Sequence, residues 1–265
     1  MSYTHGHHDT VLRSHRWRTI DNSAAYLADA LVPGRSVLDV GCGPGTISLE
    51  FAAAVAPGVV TAVDTAEAAV AETRAAAESA AVTNLVVEVA DLYDLPYSAG
   101  SFDVVHAHQV LQHVPDPVAA LRALRRLIAP GGVLAARDAD YDAMYWHPRL
   151  PELDEWRSLY RRVARLNGGE PDAARLLPSW ARSAGFPDVR YTTTTWCFAT
   201  TEDRRWWGGM WADRMRHSAV GETAVREGFV GPEDLDRIAR GWLAWADDPD
   251  AVFVVPHGEI RCRER

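Results

Sequence analysis

The sequence predicts an α/β fold built on a doubly wound, mainly parallel sheet. Three observations carry this. Short β-branched segments alternate with longer helix-forming ones through the first half of the chain. The first of these strands runs into a glycine-rich turn, VLDVGCGPGT, at residues 37–46. The next two strands each close on an aspartate, Asp64 and Asp91. Alternating strands and helices build a parallel sheet covered on both faces, and right-handed crossovers leave few topologies. Ligands of such sheets lie beyond the carboxyl ends of the strands, near the switch point.

The elements follow in order. SVLDV (36–40) is a short apolar strand, and residues 46–56 read as a helix stopped by Pro57-Gly58. VVTAVD (59–64) is a β-branched second strand. Residues 66–81 are almost all Ala, Glu and Arg, with high helix propensity. LVVEVAD (85–91) and FDVVHAH (102–108) supply strands three and four. Residues 117–129 set Val118, Leu121, Leu124, Leu127 and Ile128 at helical spacing before Pro130-Gly131-Gly132. VLAARDAD (133–140) is strand five. The strand-end rule then gathers residues 41–45, Asp64, Asp91, His108 and residues 138–141 around one crevice. Beyond Tyr141 the character changes, for every tryptophan except Trp17 falls there. DVRYTTTTWCFA (188–199) is a β segment, a helical stretch runs over 202–246 with a break near 228–232, and AVFVVPHGEIRC (251–262) is a last strand.

Composition narrows the classes. In 265 residues, 48 % are hydrophobic, enough for one large packed core. A net charge of -9 argues against nucleic acid or an anionic membrane as the main partner. No apolar run is long enough to span a bilayer, and the first residues lack the apolar stretch of a secretory signal. Cys42, Cys197 and Cys262 are too few and too scattered for a disulfide framework or a CxxC metal site, so a reduced cytoplasmic compartment is expected.

The glycines discriminate between cofactors. Gly41, Gly43 and Gly45 give G-x-G-x-G rather than the dinucleotide pattern G-x-G-x-x-G, and Pro44 removes an amide that a pyrophosphate could use. The following helix still offers free N–H groups and a partial positive charge, which suits a single carboxylate. Asp64 is placed to accept from two ribose hydroxyls. Asp91 is placed to accept from an adenine amino group, with Leu92 beside the ring. S-adenosylmethionine has all three parts.

Together VLDVGCGPGT, VD at 63–64, ADLYDLPY, SFDVVHAHQVLQHV and LIAPGGVL resemble the class I S-adenosylmethionine-dependent methyltransferases of the small-molecule, ubiquinone- and menaquinone-biosynthesis-like branch, over residues 35–140. The resemblance implies a Rossmann-like seven-stranded sheet of order 3-2-1-4-5-7-6 with the last strand antiparallel, so that strands six and seven fall at 188–199 and 251–262. It implies that Gly41, Cys42, Gly43, Gly45, Thr46, Asp64, Thr65, Asp91 and Leu92 hold the cofactor, with His108, Gln109 and Arg18 at its methionine part, and S-adenosylhomocysteine as product. It also implies an N-terminal helical cap (1–34) and a core (35–200 and 248–265). The chain departs from the family's minimal pattern between strands six and seven, where a Trp-rich helical stretch at 201–247 replaces a hairpin and is expected to form a lid over the acceptor.

In this family an N-terminal helix folds over the cofactor, which puts Tyr3, His15 and Arg18 at the pocket. His113 either packs the loop before Pro115 or acts as a general base with a pKa suited to neutral pH. Asp138 and Asp140 alternate onto one face, where they can serve as base, substrate anchor or oxygen site for Mg²⁺. With His108-Gln109 where metal-dependent relatives carry a further acid, no metal is expected, and the His5, His7, His8 cluster has no carboxylates to complete a site. Asp140, Tyr141, Trp207 and Trp211 are candidate contacts to a planar or hydrophobic acceptor.

The expectation is therefore an enzyme that moves a methyl group from S-adenosylmethionine to a small aromatic or polyketide-like acceptor by in-line displacement, with Asp138 and His113 as candidate bases. Two alternatives remain open at this point: a cyclisation or rearrangement with the same bound cofactor, and a dinucleotide-dependent oxidoreductase. A monomer or homodimer is expected.

Overall fold

The computed structural model describes residues 15–263. Its centre is an eight-stranded sheet of order β3-β2-β1-β4-β5-β8-β6, with β7 on the other edge of β8. Strands β1 (Val37–Val40), β2 (Val60–Asp64), β3 (Leu85–Val89), β4 (Phe102–His108) and β5 (Ile128–Ala139) run parallel. β8 (Val252–Arg263) is antiparallel to β5 and to β7 (Asp188–Phe198). This is the expected order, with strands six and seven where the sequence put them. One short strand, β6 (Tyr145–His147), is additional and pairs with the start of β8.

Helices α1 (Thr46–Val55), α2 (Glu67–Ser79) and α3 (Pro117–Arg125) make the crossovers. The helix expected over 117–129 ends at Arg125, because the chain turns at residues 126–127 to enter the sheet: the Phe102 amide donates to Leu127 O at 3.0 Å and Phe102 pairs with Ile128 at the start of β5. Asp116 caps α3, accepting from the Ala119 amide at 2.8 Å.

Side chains alternate across each strand, and two apolar layers result. Val37, Val104, Val133 and Ala135 pack against Phe51, Ala52 and Val55 of α1 and against Ala24 and Leu27. Leu38, Val105, Leu134 and Ala136 pack on the opposite face against Leu121, Leu124 and Leu177. The same alternation puts His106, His108 and Arg137 on the first face and Asp138 on the second. Arg137 and Glu259 face each other across β5 and β8, with Nε 3.2 Å from Oε1 and both side chains buried. Thr192 donates to Glu259 at 2.8 Å, and Thr194 hydrogen-bonds both partners. The polar His257-Gly258-Glu259 stretch is therefore the buried centre of a strand.

The Trp-rich helices of residues 201–247 do not pack on themselves alone. Helices Thr201–His217 and Pro232–Asp247 pack with a helix that precedes β7, Pro151–Leu166, into one core. That helix buries Leu153, Trp156, Tyr160 and Val163, one face at helical spacing. Trp156 is the hub, with ring centroids 4.6 Å from Trp211, 4.8 Å from Trp242 and 5.9 Å from Phe253. A break at Ser218 starts a further helix, Ala219–Arg226, beyond the interruption foreseen near 228–232. Among the described residues, no helix is long and apolar enough to cross a membrane.

Removing one partner of a buried ion pair leaves the other uncompensated, whereas replacing both can be neutral. Glu259→Leu should therefore cost about 3–5 kcal/mol in denaturant unfolding, and Arg137→Met added to it should recover much of the loss.

Candidate functional site

The glycine turn joins β1 to α1 through three residues with positive φ: Gly41 (+69°), Gly43 (+55°) and Gly45 (+79°). A β-carbon at Gly41 would lie 2.5 Å from Val110 Cγ2, and one at Gly45 would lie 2.4 Å from Thr73 Cγ2. Glycine is the residue that satisfies both the dihedral and the contact. The Gly41 and Cys42 amides donate to Val63 O, and Thr73 Oγ1 donates to Gly43 O at 2.8 Å. Asp64 accepts from the Gly43 and Ala66 amides, both at 3.0 Å, so it braces the turn while facing the cavity.

That cavity measures about 420 Å³ and opens at the carboxyl ends of β1–β4. Gly41, Cys42, Gly43, Thr46, Asp64, Thr65, Asp91, Leu92, His108, Gln109, Arg18 and His15 all line it. Gly45 sets the start of α1 behind them. Because β2 and β3 lie on one side of β1 and β4 on the other, the walls differ chemically. Asp64 and Asp91 stand on the β2–β3 side; His108 and Gln109 stand on the β4 side, under Arg18. The segment carrying His15 and Arg18 is held over the turn by Thr46, whose hydroxyl donates to His15 O at 3.3 Å.

His108 is buried, and neither ring nitrogen has a hydrogen-bond partner among the described residues. Burial first, then Arg18 and Arg137, push its pKa well below the usual range, so the ring is neutral. His106, in parallel 6.4 Å away, is by contrast held by Asp39 at 2.8 Å, and Ser48 donates to the other Asp39 oxygen at 2.5 Å.

His113 reaches the cavity from a short 3₁₀ turn, Leu111–His113. Gln112 Oε1 accepts from the Ala139 amide at 3.3 Å, which leaves its Nε2 to donate to His113 Nε2 at 3.0 Å. That lone pair is thereby engaged, and burial lowers the His113 pKa to about 3. As placed, His113 is a neutral hydrogen-bonding group and not a free base. Asp138 lies on the opposite face of the sheet from His108, away from the cavity lining. Its Oδ1 accepts from the Gln112 amide at 3.1 Å, holding the turn that carries His113. Burial raises its pKa to about 8.

The remaining acceptor-side candidates lie elsewhere. β5 ends at Ala139, so alternation does not extend to Asp140. Asp140 is instead gripped by Arg175 through two contacts of 2.6 Å, so its charge is paired within the fold and it does not line the cavity. Tyr141 stacks on Tyr160 at 4.0 Å. Trp207 stacks on Phe198 at 4.2 Å, and Trp211 packs edge-on against Trp156. These three rings belong to the helical core and do not wall the cavity. Tyr3 and the His5, His7, His8 cluster lie outside the described residues. Val110, Tyr93 and Ile47 line the cavity without having been singled out. The first two adjoin Gln109 and Leu92 in the chain, which was the available signal. Gln112 had none, since its role depends on a fold-level contact with Ala139.

The sheet order and the glycine turn define a class I, Rossmann-like architecture, and comparison with known proteins agrees. A family model described as a methyltransferase domain matches residues 31–199. An uncharacterized methyltransferase of Schizosaccharomyces pombe is 31 % identical over 98 % of this chain and 95 % of its own length. The 27-O-demethylrifamycin SV methyltransferase of Amycolatopsis mediterranei is 32 % identical over 63 % of this chain and 69 % of its own. Among solved structures, the cyclase SpnF shares the fold with a TM-score of 0.57 at 20 % identity, covering 91 % of this chain and 81 % of its own. The chain belongs to the methyltransferase family, and it is a class I S-adenosylmethionine-dependent methyltransferase.

Asp138 gives a test of the site's electrostatics. Its folded pKa lies above its unfolded value, so the native state holds a proton that the unfolded chain has lost, and stability falls as pH rises. Unfolding free energy should decline between about pH 4 and about pH 8. Asp138→Asn should flatten that decline, as read from denaturant midpoints across the range.

Proposed function

We propose that this enzyme transfers a methyl group from S-adenosylmethionine to a small organic acceptor of aromatic or polyketide-like type. The observation that carries the cofactor reading is the turn with no room for a β-carbon, opening on a cavity with Asp64 on one side and the unpartnered, neutral His108 on the other. The residues fit the cofactor. The cavity falls within the usual range of ligand pockets, about 300–1,000 Å³. Asp64 and Asp91 supply acceptors for ribose and adenine groups, Leu92 an apolar wall, and α1 free amides beside the glycines. When bound, the sulfonium supplies an activated methyl group to the reaction.

The chain's own contribution is placement and exclusion of water. His15 and Arg18 cover the glycine turn, and Val110 and Val114 dry the β4 side. His113 is assigned to contact the acceptor, with its ring oriented by Gln112. Asp138 acts one step back, by holding the Leu111–His113 turn. A proton-accepting group is needed only where the acceptor is a neutral phenol, hydroxyl or carbon acid. The rifamycin-related sequence supports a polyketide-like acceptor, and the acidic net charge supports a small molecule over a nucleic acid.

Incubation with S-adenosylmethionine and a panel of phenolic and polyketide acceptors should release S-adenosylhomocysteine and a product one methyl heavier. His113→Ala, which removes a hydrogen-bonding contact to the acceptor, should lower kcat/KM about tenfold while S-adenosylhomocysteine binding holds within a factor of about two. Acceptor converted without release of S-adenosylhomocysteine would instead point to a non-methylating rearrangement.

A further inference from the structure

Gln109 is a non-glycine residue at φ +54°, at the cavity edge where β4 ends. Such a conformation persists when its surroundings over-determine it. Its backbone amide donates to Arg137 O at 2.7 Å. Its side chain is held at both atoms. Oε1 accepts from Arg18 Nη2 at 2.7 Å, and Nε2 lies 2.9 Å from His257 Nε2.

The donor pattern of this chain of groups is forced. A guanidinium can only donate, so the Gln109 oxygen must face Arg18 and its NH₂ must face His257. His257 Nε2 is then a lone pair, its proton sits on Nδ1, and that proton is donated to Val255 O at 3.0 Å. Burial, with Arg137 and Arg18 nearby, pushes the His257 pKa well below the usual range, consistent with a neutral ring. Trp196 closes the arrangement. Its indole N–H donates to Asn22 O at 2.7 Å, and its ring lies 4.3 Å from His257 and 5.8 Å from the Arg18 guanidinium carbon.

We propose that Gln109 and His257 are positioning residues that aim the Arg18 guanidinium into the β4 side of the cavity, where it takes the carboxylate at the amino-acid end of the cofactor. The inference rests on the cofactor reading above. The opposite wall presents Asp64 and Asp91, which repel an anion. The β4 wall presents a fixed cation and a neutral imidazole with open nitrogens. Without an acceptor at His257, the Gln109 amide is free to turn and set its NH₂ against the guanidinium, and Arg18 loses its aim.

The test compares two ligands on the full chain by calorimetry: S-adenosylhomocysteine, and methylthioadenosine, which lacks the amino-acid end. His257→Leu should weaken S-adenosylhomocysteine about tenfold or more and leave methylthioadenosine within a factor of about two. His257→Gln, which keeps an acceptor oxygen, should restore most of the loss. In the wild-type chain, nitrogen chemical shifts should show His257 neutral with its proton on Nδ1. Unchanged S-adenosylhomocysteine affinity in His257→Leu, an equal loss for both ligands, or a proton on Nε2 would each overturn the relay. A wild-type chain that binds neither ligand overturns the cofactor reading and the relay with it.

Discussion

The ligand side of this protein depends on a steric constraint at Gly41 and Gly45. A β-carbon at either position meets a neighbour at 2.5 Å or less, and the backbone there has positive φ. The consequence is close approach. Val110 folds over the turn from the β4 side and Thr73 from α2, so the cavity forms against backbone amides. Asp64 is drawn into the same constraint, because its carboxylate accepts from Gly43 and Ala66 while it lines the space a ligand would use. Shape and ligand recognition are thus set by the same few atoms.

The second organising feature is polar and lies across the first face of the sheet. Asp39, His106, His108, Arg137, Glu259 and His257 are all buried. Most have partners that neutralise or satisfy them: Asp39 by His106 and Ser48, Arg137 by Glu259, His257 by Gln109 and Val255. His108 is the member with neither ring nitrogen partnered among the described residues, and it borders the cavity. Buried polar groups are costly unless satisfied; His106 Nε2 and Arg137 Nη1 are single orphaned atoms on residues otherwise held, whereas His108 has both ring nitrogens open among the described residues, at the cavity wall. The tryptophans play the opposite part. Trp211 and Trp242, gathered around Trp156, consolidate the helical layer that packs on β6 and β8 and take no part in the cavity lining.

The fold was legible because its signals are local. The apolar and β-branched runs VLDV, VVTAVD and LVVEV, the glycines after β1 and the acids at the end of β2 and just past β3 each specify a short segment, and their order specifies the sheet. The last two strands were read from their residues and numbered six and seven by the resemblance, and β7 and β8 lie there. The cofactor side was legible for the same reason, with its residues sitting at strand ends. The acceptor side was not. Asp138 and Asp140 alternate in sequence, but β5 stops between them, and which face of a strand meets which helix is a tertiary fact. Trp207 and Trp211 could be assigned to a wall or a core only once their partner was known. That partner, the helix Pro151–Leu166, precedes β7 and shows no sequence mark tying it to residues 201–247. Gln109 and His257 are 148 residues apart, and nothing in either neighbourhood announces their contact.

The most direct measurement of the central claim is calorimetric titration of the purified chain with S-adenosylhomocysteine, with NAD⁺ and NADP⁺ alongside. The account predicts saturable binding of S-adenosylhomocysteine alone, abolished by Asp64→Ala. Binding of a nicotinamide cofactor, with S-adenosylhomocysteine inert, would contradict it.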